Sequence, residues 1–306
     1  MTERISFRDQ IARNKMKSFL LIGVIFLFFL ILGYIVSLIL GPDYFFIIMI
    51  FSIIFSLSYV LVSYYKSDKI ALASVKAKPA SRVNHREFFN AAENMALASG
   101  LPMPKLYIME SSEINAFASG RDPSKAVICV TTGCLEELNK QELEGVIAHE
   151  MSHIANYDIR FMTLTAILVG LISIIAQIFL RSLWFSSLTR GSGGRGRDGR
   201  VQIFLIVLGI LFAILAPIFA NLVSLAISRK REFTADATAV KFTRYPPGLA
   251  SALKKIRHQH VSKKEKHRYA KALAPLFISD PFKRKIKGMF STHPDVNERI
   301  SKLERM

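Results

Sequence analysis

Four uncharged apolar runs constrain this chain more than any other feature. Phe19 to Leu40, Tyr44 to Tyr65, Phe161 to Leu180 and Val201 to Ile227 contain no Asp, Glu, Lys or Arg. Each holds about 20 residues or more, and at about 1.5 Å rise per residue a helix of that length crosses a hydrocarbon core of about 30 Å. A soluble helix this long needs a polar face, which the first two runs almost lack. Gly41-Pro42-Asp43 separates them as a tight turn would. They read as a helical hairpin, with Tyr44 at one end and Tyr64 and Tyr65 at the other, where interfacial aromatic residues sit. The first run is too long for the apolar part of a secretory signal, and no small-residue cleavage site ends it, so it reads as a retained anchor.

Charge sets the orientation. The formal net charge is +18, in a chain that is 51% hydrophobic. Arg4, Arg8, Arg13, Lys15 and Lys17 precede the first run, and Lys66, Lys69, Lys76 and Lys78 follow the second. The positive-inside rule places residues 1–18 and the chain after Lys66 in the cytoplasm. The second apolar pair fits less simply, because Arg190, Arg195, Arg197 and Arg200 lie in the glycine-rich loop between its members. Length favours two full spans over a shallow, partly inserted hairpin. Residues 229–306 carry 20 Lys and Arg against 7 Asp and Glu. This reads as a solvated face beside anionic lipid. No nucleic-acid partner is expected, since no recognised binding motif accompanies the charge. Cys129 and Cys134 have no second cysteine pair with which to build a metal site and read as reduced, partly buried thiols.

Residues 66–160 read as the first part of a soluble domain and residues 228–306 as its second part, interrupted by residues 161–227. A helix is expected over 85–99, from apolar residues at helical spacing. Short strands are expected at 105–109, 114–118 and 126–130, with a turn at Gly120-Arg121-Asp122-Pro123. Asn139 is a candidate cap for a following helix, with Glu142 and Glu144 in its first turn.

That helix carries the chemistry. His149-Glu150-Met151-Ser152-His153 is an H-E-x-x-H pattern. Two histidines at i and i+4 share one helical face and can reach one zinc ion, while Glu150, beside the first, can serve water as a general base. A catalytic zinc needs a third protein ligand and an open position. The candidate is Glu232, in Arg231-Glu232-Phe233-Thr234-Ala235-Asp236; Asp236, one turn on, can accept the free ring N–H of a ligating histidine. The expected reaction is direct attack of water on a peptide bond, with one Zn²⁺ per chain.

These elements, in this order, resemble the HtpX family of bacterial membrane metalloproteases, relatives of the CAAX prenyl proteases. Further matches are Asn115-Ala116-Phe117-Ala118-Ser119-Gly120, Thr131-Thr132-Gly133 and Ser291-Thr292-His293-Pro294 with Arg299-Ile300. The resemblance implies a membrane α-helical fold of about four transmembrane helices, with a mainly α, α+β zincin-like cytoplasmic metalloprotease domain. It implies an inner-membrane zinc endopeptidase that takes damaged or unfolded membrane polypeptides as substrates. It makes Glu232 the third ligand. It makes Asn115, Ala116 and Phe117 an edge that binds substrate as an added strand, and His293 and Arg299 candidates for stabilising an oxyanion. The rival reading is a non-catalytic membrane adaptor with a structural zinc, which would require a fourth protein ligand, with His293 the obvious candidate. Nothing in the sequence specifies an oligomeric state.

Overall fold

Helix α1 (Phe7–Leu40) starts well before the first apolar run and carries the basic flank on the same rod as the anchor. A short 3-10 turn (Pro42–Tyr44) leads into α2 (Phe45–Tyr65). The computed structural model describes residues 7–188, 209, 229–259, 276–279 and 295–306. Apart from residue 209, the fourth apolar run lies outside the described residues, as do the loop from Arg190 to Arg200 and His293.

The two helices pack closely because Gly33 faces Ser52, where a Cβ on Gly33 would overlap the serine side chain. The Ser56 hydroxyl donates to the Phe26 carbonyl at 3.2 Å, and Phe29 lies edge-on to both Phe55 and Tyr59. Such small-residue contacts hold helices together where lipid removes the hydrophobic drive. Among the described residues, these two are long and apolar enough to cross a membrane. The third run falls inside α7 (Asp158–Leu188), which leaves the preceding helix at 87°. Leu21, Ile25, Phe28 and Phe29 of α1 meet Phe161, Leu164 and Leu168 of α7 in one buried cluster.

Helix α3 (Ser67–Ser74) follows α2 directly. Helix α4 (Arg86–Ser99) ends on Gly100, whose φ of 69° is the left-handed conformation a helix C-terminus favours. The sheet comprises β1 (Lys78–Pro79), β2 (Lys105–Met109), β3 (Ala116–Ser119) and β4 (Val127–Thr131), in the order β1-β2-β4-β3. Strand β2 runs parallel to β4, and β3 returns antiparallel along the edge. The expected strands are present within one or two residues; β1, two residues long, carries no alternation from which to read it. Cys129 and Cys134 are free and buried, and burial pushes the Cys134 thiol up to about 12.

Helix α5 (Thr132–Glu137) is followed by α6 (Lys140–Ala155), which runs through the middle of the domain. A complete capping box starts α6: Asn139 accepts from the Glu142 N–H, and Glu142 accepts from the Asn139 N–H. Buried Glu142 also accepts from Lys255 at 2.7 Å and Ser251 at 2.6 Å, tying α6 to α9 (Pro246–His258). The helices approach at Gly145, where a Cβ would lie 2.6 Å from the Leu249 nitrogen. Helices α8 (Arg229–Thr243) and α10 (Val296–Leu303) complete the described domain.

Two stability predictions follow from this packing. Gly145→Ala should destabilise the domain by roughly 1–3 kcal/mol, as overpacking does, while Gly23→Ala, with nothing within 4 Å of its Cβ, should not; melting of both variants in detergent compares them. Burial alone would raise the Glu142 carboxyl, but Lys255, Ser251 and the Asn139 N–H hold it below its ordinary 4.5. A depressed folded pKa gives stability above the ordinary value that is lost as pH falls through the lowered one. Glu142→Gln should therefore melt lower than wild type at neutral pH, with the gap shrinking in acid below 4.5.

Candidate metal centre

The buried face of α6 presents His149 and His153 one turn apart, their Nε2 atoms 3.2 Å from each other. Glu232 reaches them from α8, with Oε2 3.6 Å from His149 Nε2 and Oε1 3.7 Å from His153 Nε2. Donor atoms about 2.0–2.2 Å from a tetrahedral ion lie about 3.3–3.6 Å from one another. The three side chains, 0% to 4% exposed, are thus spaced as ligands to one ion.

The outer ring nitrogens make the case stronger. His149 Nδ1 lies 2.9 Å from Asp236 Oδ1, and His153 Nδ1 lies 3.1 Å from Asp158 Oδ2. A hydrogen on each Nδ1, donated to these carboxylates, leaves a lone pair on each Nε2. Two lone pairs and a carboxylate then converge as a donor set for a divalent ion, with the Arg299 guanidinium beside them, Nη1 3.3 Å from Glu232 Oε2 and Nη2 3.5 Å from His149 Nε2. Glu150 is 1% exposed and both its carboxylate oxygens lack a hydrogen-bond partner among the described residues. Such an orphaned buried acid is expensive unless water and metal come to it.

Electrostatics among the protein's own groups follow the same layout. Burial pushes Glu150 up to about 7, with His153 opposing and Glu232 adding to the rise. Burial would depress His153, but the Asp158 hydrogen bond and the Glu232 charge carry it to about 9. His149 is lowered, chiefly by burial, against the pull of Asp236. Asp236 would be raised by burial, yet Arg299 and His149 hold it below the usual carboxylate range.

Arg299, 1% exposed, packs against the ligands themselves, with Nη2 3.4 Å from His149 Nδ1 and 3.5 Å from His149 Nε2. Its Nε and Nη2 donate to the two Asp236 oxygens at 2.8 and 2.7 Å, and Nη1 lies 3.3 Å from Glu232 Oε2 and donates to the Ile278 carbonyl. A guanidinium engaged this way positions Asp236 and Glu232. His293 lies outside the described residues.

Asn115, Ala116 and Phe117 lie at and on edge strand β3. Thr131 bonds both the N–H and the carbonyl of Asn115 at 3.0 Å, which fixes the strand's start. The chain's own Leu276–Ser279 lies along the outer edge. Ile278 N–H donates to the Ala116 carbonyl, Asn115 Nδ2 donates to the Ser279 carbonyl, and Phe117 bridges Phe277 with rings 5.4 Å apart.

Asp158, Arg231 and Asn14 were not anticipated. Asp158 accepts from Asn14 Nδ2 at 2.7 Å and sits 3.1 Å from Arg231 Nε, so the second histidine is braced by α1 and α8 together. The available signal was an acid five positions after His153, beyond a helix end. Tyr157, at φ 58°, turns the chain so that Asp158 faces back to the ring.

Comparison with known proteins agrees with this geometry. Residues 83–306 match the model of peptidase family M48. The chain is 45% identical over 260 residues to a protease HtpX homolog of Caldanaerobacter subterraneus subsp. tengcongensis, covering 84% of each. It is 38% identical over 301 residues to a protease HtpX homolog of Dictyoglomus thermophilum, covering 98% of this chain and 95% of that one. The crystal structure of S. mikatae Ste24p is similar at 20% identity and a TM-score of 0.45, over 96% of this chain and 66% of that chain. The rival reading as a non-catalytic adaptor is thereby set aside: matched over most of its length by the family model, and nearly end to end by its relatives, the chain belongs to peptidase family M48 and is a membrane metalloprotease.

Proposed function

We propose that the chain is a zinc endopeptidase of the bacterial inner membrane, with its active site facing the cytoplasm, acting on damaged or misfolded membrane proteins. His149, His153 and Glu232 are the ligands, Asp236 and Asp158 orient the two imidazoles, and Glu150 is the general base. The observation that carries this reading is the Glu150 carboxylate, buried beside His149 and without a side-chain partner among the described residues. A purely structural site has no use for such a group.

Zinc at this position supplies Lewis acidity, for polarising a peptide carbonyl and acidifying water. Glu150 takes the proton from the attacking water at a carboxylate oxygen and returns it to the departing amine. Burial raises the affinity of that carboxylate for a proton, as a base working near neutral pH requires. Arg299 holds Asp236 against His149 and stays outside the proton path.

Substrate would bind as an added strand on the outer edge of β3. What supports this is that Leu276–Ser279 already makes such bonds, at the Ala116 carbonyl and the Asn115 amide. A peptide entering at that edge must extend this segment or replace it. The reading also takes the third and fourth apolar runs as membrane spans, for about four in all, with residues 66–160 and 228–306 joined into one zincin-like domain. The apolar pair then leaves and re-enters on one side of the bilayer, since His149 and Glu232 must meet.

Glu150→Gln should retain zinc and lose cleavage by on the order of 10²–10⁴-fold. Glu232→Ala and His149→Ala should lose both, and a chelator should stop the wild type until zinc is restored. Metal analysis beside a casein-cleavage assay reads all of these; normal cleavage by Glu150→Gln would remove it from the role of base. Asp158→Asn should weaken zinc binding by roughly 10–100-fold, as loss of a carboxylate behind a ligating histidine does. Titration against a competing chelator measures it, and unchanged affinity would make Asp158 merely a packing residue.

A further inference from the structure

A groove of about 430 Å³ opens where α1, α2 and α7 meet at the domain side of the hairpin, lined among others by Lys15, Phe19, Val60, Leu61, Tyr64 and Arg160. That volume is within the ~300–1,000 Å³ range of small-ligand sites. Its two ends differ in chemistry. Phe19, Val60 and Leu61 belong to the apolar spans, whereas Lys15 and Arg160 stand where the spans meet the soluble domain.

The two cations are unusually placed. Lys15 Nζ lies 4.4 Å from the centroid of the Tyr157 ring, and the Arg160 guanidinium lies 5.4 Å from the same ring and 5.6 Å from that of Tyr64. Neither forms an ion pair with a carboxylate among the described residues. Asp158, the nearest acid in sequence to Arg160, is occupied by His153, Arg231 and Asn14. Arg160 Nε donates to the Arg121 carbonyl, which leaves its positive charge without a counter-ion, and Lys15 likewise has no carboxylate on it among the described residues, so both cations at the groove favour an anion there. A headgroup phosphate supplies that charge, and acyl chains match the apolar walls below it.

We propose that this groove binds one anionic phospholipid from the leaflet facing the catalytic domain, its phosphate between Lys15 and Arg160 and its acyl chains against Phe19, Val60 and Leu61.

Full-length protein, purified in mild detergent and offered equal phosphatidylglycerol and phosphatidylcholine, tests this by native mass spectrometry. The wild type should retain one phosphatidylglycerol per chain in preference to phosphatidylcholine, and a large excess of inorganic phosphate should leave it in place. The double variant Lys15→Gln, Arg160→Gln should lose that preference by roughly tenfold or more, the scale expected for removing two cations beside an anionic lipid surface. Leu61→Trp, which keeps both cations and fills the apolar end, should release the lipid as well, and it keeps the test decisive if the double variant fails to fold. Equal retention of the two lipids by the wild type would overturn the proposal, as would unchanged phosphatidylglycerol binding by Leu61→Trp. Displacement by inorganic phosphate would overturn it in favour of a site for the free anion. None of these readouts depends on proteolysis, so the lipid site and the proposed catalytic reading stand or fall separately.

Discussion

Charge held away from water is the constraint on which the catalytic half of this structure depends. Glu150, Asp158, Glu232 and Asp236 are all 3% exposed or less, and such burial costs several kcal/mol per ion unless it is compensated. Compensation comes from several elements at once. Arg299 arrives on α10, Arg231 on α8, the histidines on α6 and Asn14 on α1. The fold can bury these groups only if all the elements arrive together, so assembling the domain and assembling the metal centre are one event.

The pairing is uneven, and the unevenness is where the chemistry lies. Asp236 and Asp158 are satisfied on both oxygens, and each is spent in holding an imidazole. Glu150 has no side-chain partner on either among the described residues. A fold selected for stability alone would replace it with an apolar side chain of similar volume, which in buried ionic sites is often neutral or stabilising. Its retention beside two rings whose Nε2 lone pairs converge makes sense only where water and a cation supply the missing partners.

The sequence made much of this legible because the signals were local. Helical spacing put both histidines on one face, and Asn139 read as the cap of their helix with Glu142 in its first turn. Lys105–Met109 read as a strand from its residue types alone. The unread parts are non-local. Asp158 reaches His153 only because Tyr157 adopts a left-handed backbone, and nothing in the residue type Tyr predicts that. Asn14 lies 144 positions from the aspartate it holds, in a flank read as merely basic and cytoplasmic. Arg299 was visible as a residue, but its place behind Asp236 depends on how α10 packs. Leu276–Ser279 carries no pattern that marks it as a strand laid against Ala116.

The continuity of α1 joins the membrane to the catalytic centre. Here the helix continues through Asn14 and Lys15, so the side chain that bonds Asp158 and the side chain that faces the lipid groove are adjacent on one rigid rod. The ring of Tyr157 sits on Lys15, and the next residue is Asp158. A displacement of α1 along its axis would therefore shift the acceptor that fixes the His153 ring. A helix transmits such a shift with little loss, because its backbone hydrogen bonds leave few soft torsions between the two points. The geometry of the metal site is thus tied to how the first span sits in its bilayer, and a soluble fragment lacking α1 would retain H-E-x-x-H without one of the supports that orients it.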